Sequence, residues 1–361
     1  MNKIFGQTKN SNPLLWVFFM QRDVLIVGFG LAGWALTDAL KKQNISFVVF
    51  DPLKKSSSRT ATGIFNPVVL KRFRSIDSAN EIMDHAIPFY RQPKYKDAFH
   101  PLPIHRVLTS VSEQNDWAVA SDKADLSCYL NPAILNNINS NIHTPFGVGV
   151  VEHTGWIDTN KLLTIAHQEI DQQGGFVAES FNYDALEISA NTLRYKNWKI
   201  SHVVFAEGVG VLKNPWFSNL PIVPNKGEWL IISCKGLGLK NTVKSSVFVV
   251  PLGNDLYRVG ATYAREFENT LPTEKAKTWL ITQFEKLTAL PFEIMYNGAG
   301  LRPTVPDRRP VVGSHAKHTN IWCVNGLGSR GVLWAPYLAV GLVGAFQNPQ
   351  MISPELHVAR F

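Results

Sequence analysis

The apolar positions of this chain follow two patterns. Outside 226–300 they form short unbroken runs that stop at or near small or turn residues: VLIV (24–27), FVVF (47–50), VVFA (203–206) and IWCV (321–324). Runs of this length read as strands buried on both faces, the habit of a parallel sheet. Between 226 and 300 the strand-like stretches GEWLIIS, SSVFVVPL, LYRVGATY and FEIMYNGAG follow one another, with GND (253–255) as a hairpin turn. They predict a second, mostly antiparallel sheet. One helix candidate, PTEKAKTWLITQFEKL (272–287), interrupts them. Helical periodicity marks LAGWALTDALKKQ (31–43) and the stretch after GWID, with Asp158 or Thr159 at its cap and Gly174–Gly175 at its end. Residues 75–145 mix helix-like stretches with short strands around HRVLTS.

The fold expected is α/β: a Rossmann-like, doubly wound parallel sheet that binds FAD or NAD(P), with an inserted α+β domain on a mostly antiparallel sheet. The nucleotide domain is expected at 22–84, 146–217 and 301–361, and the inserted substrate domain at 85–145 and 218–300. Residues 1–21 read as an N-terminal extension. NPLLWVFFM (12–20) is too short an apolar run to span a bilayer. Met20 is the preferred natural start, with a signal peptide as the alternative.

Two glycine turns carry the chemistry. After VLIV, Gly28, Gly30 and Gly33 form G-x-G-x-x-G at the start of a helix that includes Leu31 and Ala32. Gly28 permits the tight turn, Gly30 lets backbone approach a pyrophosphate, and Gly33 lets helix and strand pack closely. Asp51 ends the next strand, 23 residues past Gly28, where a carboxylate accepts from ribose hydroxyls. Strand, helix and acid together predict an adenine dinucleotide. They leave NAD and FAD open and disfavour NADP, because Asp51 would repel a 2′-phosphate. At the other end of the chain, Gly326, Gly328 and Gly331 frame a second strand–turn–helix, VNGLGSRGVLWAP, with Pro336 near the helix start. Its amides point at something anionic or electron-rich.

Two other stretches bear on the site. SSSRTATGIFNPVVLKRF (56–73) holds Arg59, Thr60, Ala61, Thr62 and Gly63 and reads as a loop along an extended ligand; composition alone leaves an ordinary connection open. HVVFAEGVG (202–210) puts Ala206 and Gly208 at the carboxyl end of a buried strand, where parallel sheets hold ligands.

Composition narrows the picture. Cys128, Cys234 and Cys323 lie far apart in the sequence, which argues for a reducing, cytoplasmic setting and against a disulfide scaffold. No metal-ligand spacing occurs, and His315 and His318 read as loop histidines. The net charge of +8 is scattered over Lys54, Lys55, Arg59, Lys71, Arg72, Arg74, Arg308 and Arg309. No run has the length of a nucleic-acid arm, and a solvated basic surface is the simpler reading.

VGFGLAGWALTDAL…VVFD, RTATGIFNPV, GWIDTNKLL, VVFAEGVG, VVPLGNDLYRVGATY, AGLRPTVPDRRPVVG and GLGSRGVLWAP together resemble the FAD-dependent D-amino-acid-oxidase and glycine-oxidase superfamily, from about residue 22 onward. GLGSRG…AP and the closing ARF look most like the oxidase domain of the bifunctional enzyme that makes 5-methylaminomethyl-2-thiouridine in tRNA; its methyltransferase half is absent here. The resemblance implies FAD as cofactor. It places the second turn, Gly326, Leu327, Gly328, Ser329, Arg330, Gly331 and Val332, at the pyrimidine edge of the flavin, where amides and helix dipole stabilise charge on the reduced ring. No cysteine precedes the PD turn in YNGAGLRPTVPD, so FAD is expected to be non-covalent.

Arg302 in GLRP matches the arginine that glycine oxidase uses for the substrate carboxylate, and a guanidinium fork suits that group; a structural ion pair is the other reading. Arg330 either contacts substrate or supplies only its backbone. Tyr257 and Tyr263 are candidate pocket-wall residues. The reaction implied is oxidation of a C–N bond beside a carboxylate in a small amine or amino acid. A hydride passes to flavin N5, the imine hydrolyses, and dioxygen is the expected acceptor. Glycine, sarcosine and a carboxymethylaminomethyl nucleoside share the N–CH2–COO⁻ unit, so a tRNA partner stays open, and no membrane partner is expected. Three other classes remain: a nicotinamide-dependent dehydrogenase, a tRNA-binding modification protein without free amino-acid oxidase activity, and a non-catalytic flavin-binding protein.

Overall fold

A computed structural model describes residues 20–189 and 192–361; of the expected extension 1–21, residues 1–19 lie outside them. Met20 and Gln21 open the first strand, Met20–Val27, so the strand begins two residues inside the expected extension.

The first sheet is a Rossmann-type layer. Its parallel strands run in the spatial order Phe176–Val177, Phe47–Phe50, Met20–Val27, Trp198–Phe205 and Ile321–Asn325. Leu25, Ile26, Val48, Val49, Val203 and Val204 are fully buried, because helices cover one face and a second apolar cluster the other. Thr192–Tyr195 and Val311–Ser314 add antiparallel pairings at the same edge.

The second sheet has the order Glu293–Thr304, Val223–Ser233, Leu256–Gly260, Phe248–Gly253, Thr242–Lys244, Ile104–Val107, Val148–Val151 and Leu130–Leu135. All its pairings are antiparallel except that of Thr242–Lys244 with Ile104–Val107. Two expected boundaries shift. Val148–Val151 pairs in this second sheet although it follows 146, and Glu293–Thr304 carries the sheet past 300. Chain patterning cannot locate such crossings, since a buried strand reads the same in either sheet.

The helix Glu274–Glu285 covers the far face of the second sheet through Leu280 and Phe284. Asp158 caps the helix Thr159–Gln172, its carboxylate accepting the Lys161 amide at 2.9 Å.

The helix Leu31–Lys42 is held by Trp34, 1% exposed. Its indole stacks on Tyr90, meets Phe89 and Tyr95 edge-on, and donates to the Tyr95 hydroxyl at 3.0 Å. Trp34→Ala is expected to cost about 3–5 kcal/mol of stability, read as a fall in the denaturation midpoint.

The helix Gly331–Ala345 is apolar all round because it is sandwiched between the helices Leu31–Lys42 and Ala79–Tyr90. Pro336 lies deeper in it than its sequence suggests. As the sixth helical residue it leaves the Val332 carbonyl without its amide partner, and the Tyr90 hydroxyl donates to that carbonyl at 2.6 Å. Among the described residues no helix is long and apolar enough to cross a membrane.

Candidate functional site

The carboxyl ends of the first sheet face the near side of the second across a cavity of about 690 Å³. Both glycine turns open into it, although they lie at opposite ends of the chain. They touch: a Cβ on Gly331 would sit 3.2 Å from Leu31 Cδ1.

At the first turn Gly28 has φ +100°, and a Cβ there would meet the Ala206 carbonyl oxygen at 2.6 Å. Gly33 lies beneath the turn, where a Cβ would be 2.0 Å from the Gly28 oxygen, so its role is packing and it does not line the cavity. Asp51 closes the turn, accepting the Phe29 amide at 2.6 Å on one oxygen and the Leu53 amide at 2.7 Å on the other. The Ser58 hydroxyl accepts the Leu31 amide at 2.9 Å. The Gly30 and Ala32 amides have no acceptor among the described residues.

At the second turn Gly326 and Gly328 adopt φ +71° and +57°. Gly326 lies below the cavity surface, its amide tied to Asn325 Oδ1 at 2.7 Å, while Asn325 Nδ2 donates to the Gly208 carbonyl at 2.8 Å. The Gly328 amide donates to Pro303 and the Arg330 amide to Leu327. The amides of Leu327, Ser329, Gly331 and Val332 have no acceptor among the described residues, and all four residues line the cavity. This is a ready anion or oxygen cradle.

The segment 56–63 runs along one wall. Thr60, Ala61, Thr62 and Gly63 line it, as do Ala206 and Gly208. The Arg59 side chain turns outward to Asn160 Oδ1 at 3.3 Å and Thr164 Oγ1 at 3.4 Å. Beside the Ala206 turn, Glu207 accepts from the Tyr183 hydroxyl at 2.5 Å and from Asn214 Nδ2 at 2.8 Å; burial pushes its carboxyl up.

The second sheet supplies the opposite wall. Arg302 reaches across to Gly227, where a Cβ would fall 2.2 Å from Nη2. Its Nη1 donates to Asn225 Oδ1 at 3.1 Å and to the Thr262 carbonyl at 3.2 Å, and Tyr263 lies beneath its guanidinium at 5.6 Å. Burial lowers its pKa, and no carboxylate of the described residues pairs with it. The structural ion-pair reading of Arg302 therefore fails. Arg330 caps the C-terminal helix and lies in the cavity wall, its pKa lowered first by burial and then by Arg308 and Arg74.

Tyr263 joins the wall as expected, but Tyr257 does not. Successive strand residues face opposite ways. Arg258 points into the cavity, so Tyr257 is buried behind the sheet with Leu230 and Leu280.

Sequence reasoning missed Gly227, Trp229, Lys244, Phe248 and Arg258, all in this wall. One signal was readable: GEW, RVG and NGAG place glycines inside strands, which marks close approach by another group. Gly260 and Gly298 flank Trp229 in register, and the indole lies over Gly298. Lys244 hydrogen-bonds the Ser245 and Ser246 carbonyls; burial, then Arg106, draws its ammonium down to about 8.

Comparison with known proteins agrees with this geometry. The family model described as FAD dependent oxidoreductase matches residues 23–343. The tRNA 5-methylaminomethyl-2-thiouridine biosynthesis bifunctional protein MnmC of Legionella pneumophila (strain Lens) is 21% identical over 98% of this chain. The chain spans 59% of the length of that relative. Among solved structures, glycine oxidase from Geobacillus kaustophilus superimposes with a TM-score of 0.74 at 16% identity, over 90% of this chain and 94% of its own. L-amino acid deaminase from Proteus vulgaris gives 0.76 at 12% identity, over 99% and 100%. The nicotinamide alternative gives way to FAD.

Proposed function

Because this chain belongs to the FAD-dependent oxidoreductase family, we propose that it oxidises the C–N bond of an amino acid or N-substituted glycine, with the substrate carboxylate on Arg302. The observation that carries the reading is the Arg302 guanidinium: half-buried in the cavity, without a carboxylate partner, beside the free amides of the second turn.

The donor set fits the cofactor. The first turn would hold the pyrophosphate at the Gly30 and Ala32 amides, with Asp51 toward the ribose. The 56–63 segment would flank the dinucleotide, and Leu327, Ser329, Gly331 and Val332 would offer amides to the ring. When bound, FAD accepts the two electrons of the oxidation. Among the described residues no cysteine lines the cavity, which supports non-covalent FAD.

The remaining work falls to orientation. Asn225 and the Thr262 carbonyl fix Nη1 of Arg302, leaving Nε and Nη2 as a fork for a carboxylate. Tyr263 and Trp229 narrow the space around the bound amine. Dioxygen is the proposed acceptor. The test is a visible spectrum followed by anaerobic titration. Glycine, sarcosine, D-amino acids or proline should bleach the flavin, whereas the same amines without their carboxylates should not. Equal bleaching by both sets would overturn the role of the carboxylate.

Gly227→Ala is a gentler probe. The atoms nearest the new methyl are the movable end of Arg302, so the protein should keep FAD while KM rises about tenfold, the loss of one misplaced charge-assisted hydrogen bond. Steady-state kinetics on the yellow enzyme checks it.

A second reading takes the substrate group as part of a tRNA. The Legionella relative's name and the presence of Lys55 and Lys71 in the cavity wall favour it. Binding of undermodified tRNA that falls steeply with salt would support it.

A further inference from the structure

Resting on the reading of Arg302 as the partner of one carboxylate, we propose that Arg258 holds a second, so that the substrate is a secondary amine with a carboxylate on each arm.

Arg258 and Arg302 come from strands on either side of Val223–Ser233. Their heads converge over that strand. The Arg302 guanidinium occupies the space above Gly227, and the Arg258 guanidinium lies over the Trp229 ring at 3.7 Å. Gly227 and Trp229 are two residues apart on one face of a strand, about 7 Å. Two cations thus line one cavity wall, near enough that the charge of Arg302 is felt at Arg258, an arrangement that suits two carboxylates on one small molecule.

Among the described residues, neither cation has a carboxylate partner. No carboxylate of the described residues pairs with Arg258. Asp158 favours its charged form from a distance, but the Asp158 carboxylate is committed to capping its helix. Burial and then the neighbouring Arg302 oppose that charge, and the guanidinium pKa is pulled down to about 9. A dianion would offset the mutual repulsion of Arg258 and Arg302.

Arg258 also has hydrogen-bonding capacity to spare. Its Nη1 donates to the Ala61 carbonyl at 3.1 Å and its Nη2 to the Thr60 carbonyl. Each terminal nitrogen keeps one further N–H. Those two carbonyls and the indole fix the plane of the group, as a specificity anchor requires. A mere pin for the 56–63 segment would need only the two carbonyl bonds, and a neutral donor would serve.

The test uses non-reacting ligands, so that it is independent of turnover. Diglycolate carries two carboxylates across an ether oxygen, and methoxyacetate carries one. Each is titrated into FAD-loaded protein, and its Kd is read from perturbation of the flavin spectrum. Diglycolate should bind about thirtyfold more tightly than methoxyacetate, the effect of one added charge-assisted pair. Arg258→Met should collapse that ratio to below about threefold, and Arg258→Lys should leave it intermediate, since charge remains but the fork is lost. Arg302→Met should weaken both ligands.

A wild-type ratio near one overturns the proposal without any variant. So does an Arg258→Met protein that loses FAD affinity with the ratio intact, because the cation would then serve the cofactor. If diglycolate binds selectively but no amine dicarboxylate bleaches the flavin, the substrate assignment is overturned; the oxidation reading falls only if the monocarboxylate amines fail to bleach it as well.

Discussion

Arg302→Ala is expected to raise KM for an α-carboxylate amine about a hundredfold, a loss of about 3 kcal/mol. The size follows from the surroundings. Nη1 is held by Asn225 and the Thr262 carbonyl, burial disfavours the charge, and no carboxylate among the described residues compensates it. A substrate carboxylate is therefore its natural counter-ion, and in a partly dry cavity such a pair is stronger than on a surface. Asn225 is fully buried and would lose an acceptor contact, but its Nδ2 still donates to the Ala264 carbonyl at 3.1 Å. The variant should therefore fold and stay yellow. Arg302→Lys should recover part of the loss, because charge survives but the fork does not. An unchanged KM for the true substrate would remove Arg302 from the site.

Gly33→Ala should give a protein purified largely without FAD. The added Cβ would fall 2.0 Å from the Gly28 carbonyl oxygen, a backbone atom that cannot step aside. The first helix must then slide off the turn, with Trp34 and its aromatic partners behind it. Overpacking of this kind costs about 1–3 kcal/mol, roughly five- to 150-fold in FAD affinity if it is expressed wholly at the turn. The absorbance ratio of flavin to protein and an FAD titration of the apoprotein read the effect. A variant as yellow as the parent would show that the helix start is not where the dinucleotide is held.

Much of the site could be read from the chain. The first turn was legible because its parts are local. Strand, Gly28, Gly30, Gly33 and helix follow one another, and Asp51 ends the very next strand. The second turn was equally plain as a strand–turn–helix. That Arg302 had no carboxylate partner was not legible, since an ion pair is decided by which elements meet. Tyr257 and Arg258 show the limit most clearly. Alternation says that they face opposite ways, but with helix Glu274–Glu285 on one face and the cavity on the other, pattern alone does not say which faces which. Arg59 is a similar case: its backbone neighbours line the cavity, while its side chain is drawn outward by Asn160 and Thr164 on a helix about a hundred residues away.

What the sequence determined by itself was everything fixed by contacts between near neighbours: the glycine turns, a helix cap at Asp158 or Thr159, the buried strands and the alternation of the second sheet. What only the tertiary structure decided was the joining of distant pieces. It set the two turns against each other through Leu31 and Gly331, gave the Val332 carbonyl left open by Pro336 to Tyr90, and brought Arg258 and Arg302 over one strand. The physical reason is that local geometry is set by backbone sterics and hydrogen bonds within a few residues. Sheet order and register, by contrast, are chosen by the burial of whole faces, and no short window of sequence contains both faces.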